Sequence, residues 1–208
     1  MTPGDRLLVV TDRRLCADAG RSLPDAVASC ARAGARSFLF REKVLPRPER
    51  RALALACLEA LGDSGAVLRI ASDPELAAAL GGLPVHAAAS DPVPATPGWG
   101  RSCHDRAEVA RAAAQRASYL TLSPVFASAS KPAYGPTLGI TGLRRLIPAA
   151  RGVPVYALGG VDASRAGACL EAGAAGVAVM SALMAAPDPE QATRDLLEAI
   201  ASAAASAV

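Results

Sequence analysis

Charged and hydroxyl side chains recur just after short apolar segments of this chain, and their types suit the binding of phosphate groups. Arginine and lysine donate charge-assisted hydrogen bonds to phosphate oxygens, and hydroxyls add further donors. The cations and hydroxyls concerned are Arg41, Lys43, Ser102, Ser128, Ser130 and Lys131, with Asp91 as an isolated carboxylate. Three cations suit a polyphosphate better than a neutral ligand, provided that the fold brings them to one place.

A second group of small residues is typical of a site for a phosphate dianion. Residues 154–181 read as a strand that ends at Gly159-Gly160, a helix, and a strand that ends at Ser181. Glycine lets the backbone approach a ligand closely, and the helix that follows adds the partial positive charge of its N-terminus. In eight-stranded α/β barrels the phosphate site lies after strands seven and eight. The alternative is a plain strand–helix–strand unit with tight turns.

Strand-like and helical segments alternate along the whole chain. The strand-like segments are 7–11, 38–41, 67–71, 85–88, 101–104, 119–125, 155–158 and 177–180. Most are apolar on both faces, as strands of a buried parallel sheet are. The helical patterns are 23–33, 49–61, 74–80, 106–117, 140–151 and 163–172. This order predicts an α/β fold, a single (β/α)8 TIM barrel over 1–208, with an open doubly wound sheet as the alternative.

Prolines and aspartates set further boundaries. The proline-rich segment 90–99 predicts a loop in place of a helix, and we expect Trp99 at its end to pack against the barrel. A last helix is expected at about 188–204. Aspartates precede four of the helices, where a short acceptor caps free N–H groups. They are Asp73, Asp105, Asp162 and Asp188.

Composition excludes several classes of protein. The 208 residues suit one domain, with 51% hydrophobic residues and a net charge of +3 spread along the chain. A basic run for nucleic acid is lacking, and no apolar run approaches the roughly 18 residues of a membrane span, so neither partner is expected. Five widely spaced cysteines without a CxxC pair indicate reduced thiols and a cytoplasmic protein. A homo-oligomer stays an open alternative.

Eight short motifs follow one another along nearly the whole chain. They are VTDR (10–13), REK (41–43), H-x4-D (86–91), GRSCH (100–104), SPVFASASKP (123–132), GITGL (139–143), PVYALGGV (154–161) and GVAVMSAL (176–183). In order and spacing they resemble the thiamine phosphate synthases and the related thiazole tautomerases. The resemblance implies a (β/α)8 barrel, in agreement with the count of strands.

The resemblance also implies a transferase reaction and a set of site residues. A hydroxymethylpyrimidine diphosphate would be joined to a thiazole phosphate, with release of pyrophosphate, in a reaction that needs placement and electrostatics rather than covalent catalysis. On the diphosphate the resemblance places Arg41, Lys43, Ser102 and Lys131, and it makes Asp91 a ligand of Mg²⁺. Around the rest of the two phosphorylated substrates it places Ser128, Ser130, Gly159, Gly160 and Ser181.

Departures from the family pattern keep two alternatives open. Leu39 and Ala89 stand where the family carries glutamines, and Ala71-Ser72 stand where it carries an Asn-Asp pair. One carboxylate with substrate phosphates is enough for Mg²⁺, so magnesium stays the expected cofactor. The eroded pyrimidine end is also compatible with a tautomerase-like isomerase of a thiazole phosphate, or with a non-catalytic binder of phosphorylated ligands.

Two histidines complete the list of candidates. His104 ends the fifth strand and could face the opening of the barrel as a substrate-binding or acid–base group, or serve only as a structural hydrogen-bonder. Pro124 stands where the tautomerase is expected to carry its histidine. Cys103 and His104 are neighbours on a strand and therefore point to opposite faces, which excludes a nucleophile–base pair. His86 is expected to pack at the end of the fourth strand.

Overall fold

The computed structural model describes residues 2–127 and 136–206 of the chain, and its strands close into a parallel barrel in sequence order. The strands are β1 (Leu7–Val10), β2 (Ser37–Phe40), β3 (Val67–Ala71), β4 (Val85–Ala87), β5 (Gly100–Cys103), β6 (Tyr119–Leu122), β7 (Val155–Leu158) and β8 (Gly176–Val179). The barrel closes between β1 and β8, where Leu8 pairs with Ala178. The predicted (β/α)8 barrel is confirmed, and the open doubly wound sheet is wrong.

Helices surround the barrel and connect its strands. They are α1 (Arg13–Asp18), α2 (Leu23–Arg32), α3 (Arg47–Leu61), α4 (Pro74–Ala79), α5 (Arg106–Ala114), α6 (Gly139–Leu146), α7 (Ala163–Glu171), α8 (Ser181–Met184) and α9 (Pro189–Ser206), with 3₁₀ turns at Pro3–Arg6 and Ile147–Ala150. Asp73 caps α4 by accepting the N–H of Leu76 at 2.9 Å. Asp105, Asp162 and Asp188 cap α5, α7 and α9 in the same way, as predicted. No helix of the described residues has the length and apolar character of a membrane span.

Three differences from the predicted elements have physical causes. Strand β6 ends at Leu122 rather than at 125, because Pro124 has no N–H to donate to a neighbouring strand. The helix expected over 140–151 changes to a 3₁₀ turn at Ile147, because Pro148 cannot donate the next helical hydrogen bond. The helix expected to reach 117 ends at Ala114, because Arg116 adopts a left-handed conformation with φ of +61°.

Tyrosines fill the N-terminal half of the barrel interior. The rings of Tyr119 and Tyr156 pack edge to face with centroids 5.7 Å apart, and the Tyr156 hydroxyl donates to the Asp5 carbonyl at 2.7 Å. A Cβ at Gly100 would lie 2.2 Å from the Tyr119 ring, and one at Gly176 would lie 2.7 Å from the Tyr156 ring. These glycines therefore make room for the two rings. With this half filled, the open space lies at the carboxyl ends of the strands.

The larger apolar core lies between the strands and the helices. Phe38, Leu68, Leu120 and Leu183 are among its fully buried side chains. All five cysteines are buried and free, which confirms the prediction of unpaired thiols. Burial raises the pKa of Cys16 to about 11, so this thiol stays protonated near neutral pH.

Candidate functional site

A cavity of about 280 Å³ opens at the carboxyl ends of the barrel strands. Seven of the predicted site residues line it: Arg41, Lys43, Ser102, His104, Gly159, Gly160 and Ser181. Residues separated by up to 140 positions thus meet around one opening. Ser128, Ser130 and Lys131 lie outside the described residues, so their placement stays a prediction.

Arg41 and Lys43 reach the cavity because a buried acid fixes the segment between β2 and α3. Glu42 points away from the cavity, accepting a hydrogen bond from the Thr11 hydroxyl at 2.8 Å and from the Arg13 N–H at 3.2 Å. The same Thr11 hydroxyl accepts the Arg41 N–H at 2.9 Å. Burial raises the pKa of Glu42, and the bond from Thr11 opposes that rise. Glu42 therefore ties the end of β2 to the beginning of α1.

Lys43 belongs to a polar cluster with a serine and the predicted metal ligand. The Lys43 amine donates to the Ser72 hydroxyl at 2.7 Å. The Ser72 side chain also lies close enough to the Asp91 carboxylate to help lower its pKa. Asp91 also accepts the Ala88 N–H at 2.7 Å. Burial alone would raise the pKa of Asp91, but its hydrogen bonds and the charges of Lys43 and Arg101 outweigh burial and lower it. Asp91 is therefore ionised, one hydroxyl away from a lysine that lines the cavity.

Ser72 itself adopts a backbone conformation that few residues other than glycine adopt. Its φ is +54°, in the left-handed region, and its N–H donates to the His86 carbonyl at 2.9 Å. A non-glycine residue in this region costs about 1–2 kcal/mol, and such strain is often found at functional sites. The sequence identified Ser72 only as the loss of a carboxylate. The structure shows a hydroxyl that accepts a hydrogen bond from Lys43 and interacts with Asp91.

A buried arginine anchors the proline-rich loop beside this cluster. Arg101 donates to four backbone carbonyls between Ala88 and Pro92, including that of Asp91 at 2.8 Å. Its guanidinium lies 5.2 Å from the centroid of the Trp99 ring, which is buried as expected. Arg101 thus fixes the backbone that presents Asp91. The sequence placed Arg101 in a strand-like segment and in the GRSCH motif, but it did not reveal the carbonyl partners of the guanidinium.

Ser102 lines the cavity from β5 and has a buried histidine behind it. The Ser102 Oγ lies 2.9 Å from His86 Nε2, and His86 Nδ1 lies 2.9 Å from the Tyr119 hydroxyl. Burial, followed by the charges of three nearby cations, lowers the pKa of His86 to about 3. The imidazole is therefore neutral. His86 is buried as expected, but it lies inside the barrel and reaches a cavity residue.

His104 faces the cavity while it is held by the protein backbone. Its Nδ1 lies 2.9 Å from the Ser123 carbonyl oxygen, which can only accept, so Nδ1 carries the proton. The backbone N–H of His104 donates to the Glu108 carboxylate at 2.7 Å. Cys103 is buried, and burial raises the pKa of its thiol to about 12. The exclusion of a Cys103–His104 nucleophile–base pair is confirmed.

The glycine pair after β7 forms a different wall of the same cavity. Gly159 and Gly160 have φ of +101° and +61°, which favour glycine. A Cβ on Gly160 would lie 2.3 Å from the Ala127 carbonyl oxygen, and the Phe126 N–H donates to the Gly159 carbonyl at 2.9 Å. The loop after β6 therefore lies directly on this turn. Gly159, Gly160 and Ser181 expose backbone and a hydroxyl to the cavity that Arg41 and Lys43 also line.

The donor set fits magnesium only together with a ligand that brings its own oxygens. Within residues 2–127 and 136–206, no three His, Cys, Asp or Glu side chains form a group that could hold a metal. Asp91 and Ser72 do supply a carboxylate and a hydroxyl, the hard oxygen ligands that Mg²⁺ prefers. Because Mg²⁺ is commonly held by one or two carboxylates plus substrate phosphates, these residues fit an ion that arrives with a diphosphate.

Comparison with known proteins agrees with the motifs and the fold. The family model described as thiamine monophosphate synthase matches residues 7–183. The thiamine-phosphate synthase of Methanoculleus marisnigri is 37% identical over 210 aligned positions, which cover 97% of this chain and 98% of that protein. The thiamine-phosphate synthase of Roseiflexus sp. (strain RS-1) is 34% identical over 209 positions, covering 96% and 87%.

A solved structure has the same architecture. The thiamine phosphate pyrophosphorylase from Pyrococcus furiosus superposes with a TM-score of 0.84 at 24% identity, covering 97% of this chain and 98% of that one. This likeness concerns the fold, whereas the family model and the curated relatives concern the sequence. On those two grounds, the chain belongs to the thiamine monophosphate synthase family.

Proposed function

We propose that the cavity catalyses the synthesis of thiamine phosphate from a hydroxymethylpyrimidine diphosphate and a thiazole phosphate. The observation that carries this proposal is that Arg41, Lys43 and Ser102 line the same cavity as Gly160 and Ser181. Two phosphorylated substrates require two anion sites that face one space. The curated relatives are named thiamine-phosphate synthases, a transferase activity, and this chain is an enzyme of that type. They favour the synthase over the isomerase and the non-catalytic binder.

The chemistry requires one bond to break and one to form. The bond between the pyrimidine methylene carbon and the diphosphate oxygen breaks, and its electron pair leaves with the diphosphate. The thiazole nitrogen then donates its lone pair to the methylene carbon, which forms the C–N bond of the product. Arg41, Lys43 and Ser102 hold the diphosphate as its charge develops, and one well-placed donor of this kind contributes about 3 kcal/mol. Gly159, Gly160 and Ser181 hold the thiazole phosphate and so orient the nitrogen.

Asp91 and Ser72 would hold a magnesium ion carried by the diphosphate. When bound there, the ion would neutralise part of the charge on the leaving group. Ser72 accepts a hydrogen bond from Lys43 and also interacts with Asp91, so it links a cation of the diphosphate site to the proposed metal ligand. Lys131, Ser128 and Ser130 are proposed, from their motif, to complete the diphosphate site. A cytoplasmic location is proposed as well, supported by five buried free thiols.

The proposal is tested by measuring pyrophosphate release from both substrates, with and without Mg²⁺. We expect release that requires both substrates and Mg²⁺, and we expect Lys131→Ala to abolish it without lowering the melting temperature. The matched control is Arg144→Gln, which changes an exposed cation on α6 and should retain full activity. Tight binding of thiazole phosphate without any turnover would instead identify a non-catalytic binder. Full activity in Lys131→Ala would contradict the assignment of the diphosphate site.

A further inference from the structure

A chain of hydrogen bonds crosses the barrel interior from a buried tyrosine to the cavity. Tyr119 on β6, His86 on β4 and Ser102 on β5 are joined by two contacts of 2.9 Å. Tyr119 and His86 are 7% and 4% exposed, so water does not replace these contacts. Ser102, by contrast, lines the cavity. The chain therefore connects a sealed interior to the surface that meets a ligand.

The proton positions along this chain follow from the chemistry of the tyrosine. Burial raises the pKa of Tyr119, so the phenol keeps its proton. Within the part of the chain that the structure describes, its hydroxyl has a single hydrogen-bond partner, His86 Nδ1. A buried donor without an acceptor is costly, so the phenol donates to Nδ1. A nitrogen that accepts this proton carries none of its own, so the ring proton of His86 is on Nε2.

We propose that His86 is a positioning residue that makes Ser102 a hydrogen-bond donor toward the cavity. The Nε2–H of His86 donates to the Ser102 Oγ and occupies one of its lone pairs. The Ser102 proton is then directed away from His86, toward a phosphate oxygen in the cavity. The opposite tautomer would take the Ser102 proton and present a lone pair to the anion, which repels it. This inference rests on the proposed function in assigning the diphosphate to Ser102.

Nearby groups support this direction of hydrogen bonding from His86 to Ser102. Thr121 Oγ1 lies 3.5 Å from His86 Nε2, where a second oxygen can share the same proton. Lys43, Arg69 and Arg101 surround the imidazole with positive charge, which opposes a second proton on the ring, and Asp91 opposes them only in part. The ring therefore stays in a neutral form whose tautomer is determined by Tyr119.

The first test is a double-mutant cycle with inorganic pyrophosphate as the ligand, measured by calorimetry. Tyr119→Phe keeps the ring but removes the donor, so we expect pyrophosphate to bind about fivefold more weakly. Ser102→Ala should weaken binding by a similar factor. If Tyr119 acts through Ser102, the double variant binds no more weakly than Ser102→Ala alone. If the double variant instead shows the product of the two single losses in affinity, the two residues act independently and the proposal is overturned.

The matched control is the other tyrosine inside the barrel. Tyr156→Phe also removes a hydroxyl, but that hydroxyl donates to the Asp5 carbonyl at the opposite end of the barrel. We expect unchanged pyrophosphate binding in Tyr156→Phe. A loss equal to that of Tyr119→Phe would mean that removal of either hydroxyl loosens the barrel, and would overturn the specific role of Tyr119.

The second test reads the tautomer directly by ¹⁵N NMR of the histidine rings. The chain has two histidines, and His86→Gln assigns the signals. We expect a protonated Nε2 on His86 in the native protein and a mixture of tautomers in Tyr119→Phe. A protonated Nδ1 in the native protein would overturn the proposal. If Nε2 is protonated but Ser102→Ala still binds pyrophosphate normally, the orientation of Ser102 is supported and its assignment to the diphosphate fails.

Discussion

The two walls of the cavity hold anions by different means. The cationic wall, formed by Arg41, Lys43 and Ser102, consists of side chains supported by buried partners such as Glu42 and His86. The glycine wall, formed by Gly159, Gly160 and Ser181, is mainly backbone pressed against the loop after β6. Side chains can be replaced one at a time, whereas a backbone wall depends on the absence of a Cβ. Substitutions in the cationic wall should therefore lower the activity of the protein, and substitutions in the glycine wall should lower its stability as well.

Among changes to these two walls, the largest effect is expected from removing a cation that stabilises the leaving group. Lys43→Ala should lower the rate of pyrophosphate release by about 100-fold, because a donor aimed at developing charge is lost. Arg47→Ala is the control, since its ion pair with Glu75 is exposed at both ends and worth little. Steady-state rates of the two variants decide the point. A rate in Lys43→Ala equal to that of Arg47→Ala would remove Lys43 from the mechanism.

The glycine wall is tested by adding a single methyl group. Gly160→Ala should lower the free energy of unfolding by about 3 kcal/mol, because a left-handed φ and a clash with the Ala127 carbonyl both add cost. Gly139→Ala is matched for backbone conformation, since both glycines have φ of +61°, but its Cβ would meet no atom of residues 2–127 and 136–206 within 4 Å. It should lose only about 1 kcal/mol. Chemical denaturation measures both, and equal losses would refute the role of the close approach.

The buried histidine behind the cationic wall should make the stability of the protein sensitive to acid. The pKa of His86 is lowered from 6.5 to about 3, so the unfolded chain binds one more proton than the folded protein within that range. The stability that neutral His86 contributes is fully present above pH 6.5 and is lost as the pH falls, with a slope of up to about 1.4 kcal/mol per pH unit. Denaturation between pH 7 and pH 5 should detect this slope. His86→Gln should flatten it, and an unchanged slope would assign the acid sensitivity to other groups.

The smallest effect is expected from removing the Ser72 hydroxyl, which accepts from Lys43 and interacts with Asp91. Ser72→Ala should lower the rate by about fivefold and raise the magnesium concentration needed for half-maximal activity, because Lys43 and Asp91 lose a shared partner. Activity measured against magnesium concentration checks this outcome. An unchanged magnesium requirement would separate Ser72 from the metal site.

The sequence predicted the features that depend on local pattern. Apolar segments predicted all eight strands. Aspartates before helices gave four caps. The short helices α1 and α8 were missed, whereas α4, which also has only six residues, was predicted because Asp73 and Pro74 mark its beginning.

The supporting contacts could not be predicted because they depend on the register of neighbouring strands. His86 meets Ser102 and Tyr119, which are 16 and 33 positions away, only because β4, β5 and β6 pair in one particular register. Room for Tyr119 requires glycine at position 100, and neither residue reveals the other in the sequence. A site of this kind is predictable in its residue types and not in the partners that orient them.

The most direct measurement is a crystal structure of the protein with thiazole phosphate and pyrophosphate added together. If one cavity serves both halves of the reaction, the phosphate will lie against Gly159, Gly160 and Ser181, and the pyrophosphate against Arg41, Lys43 and Ser102. The two anions will then share one continuous space. Anions bound in separate places, or pyrophosphate bound away from Arg41 and Lys43, would contradict the proposed site.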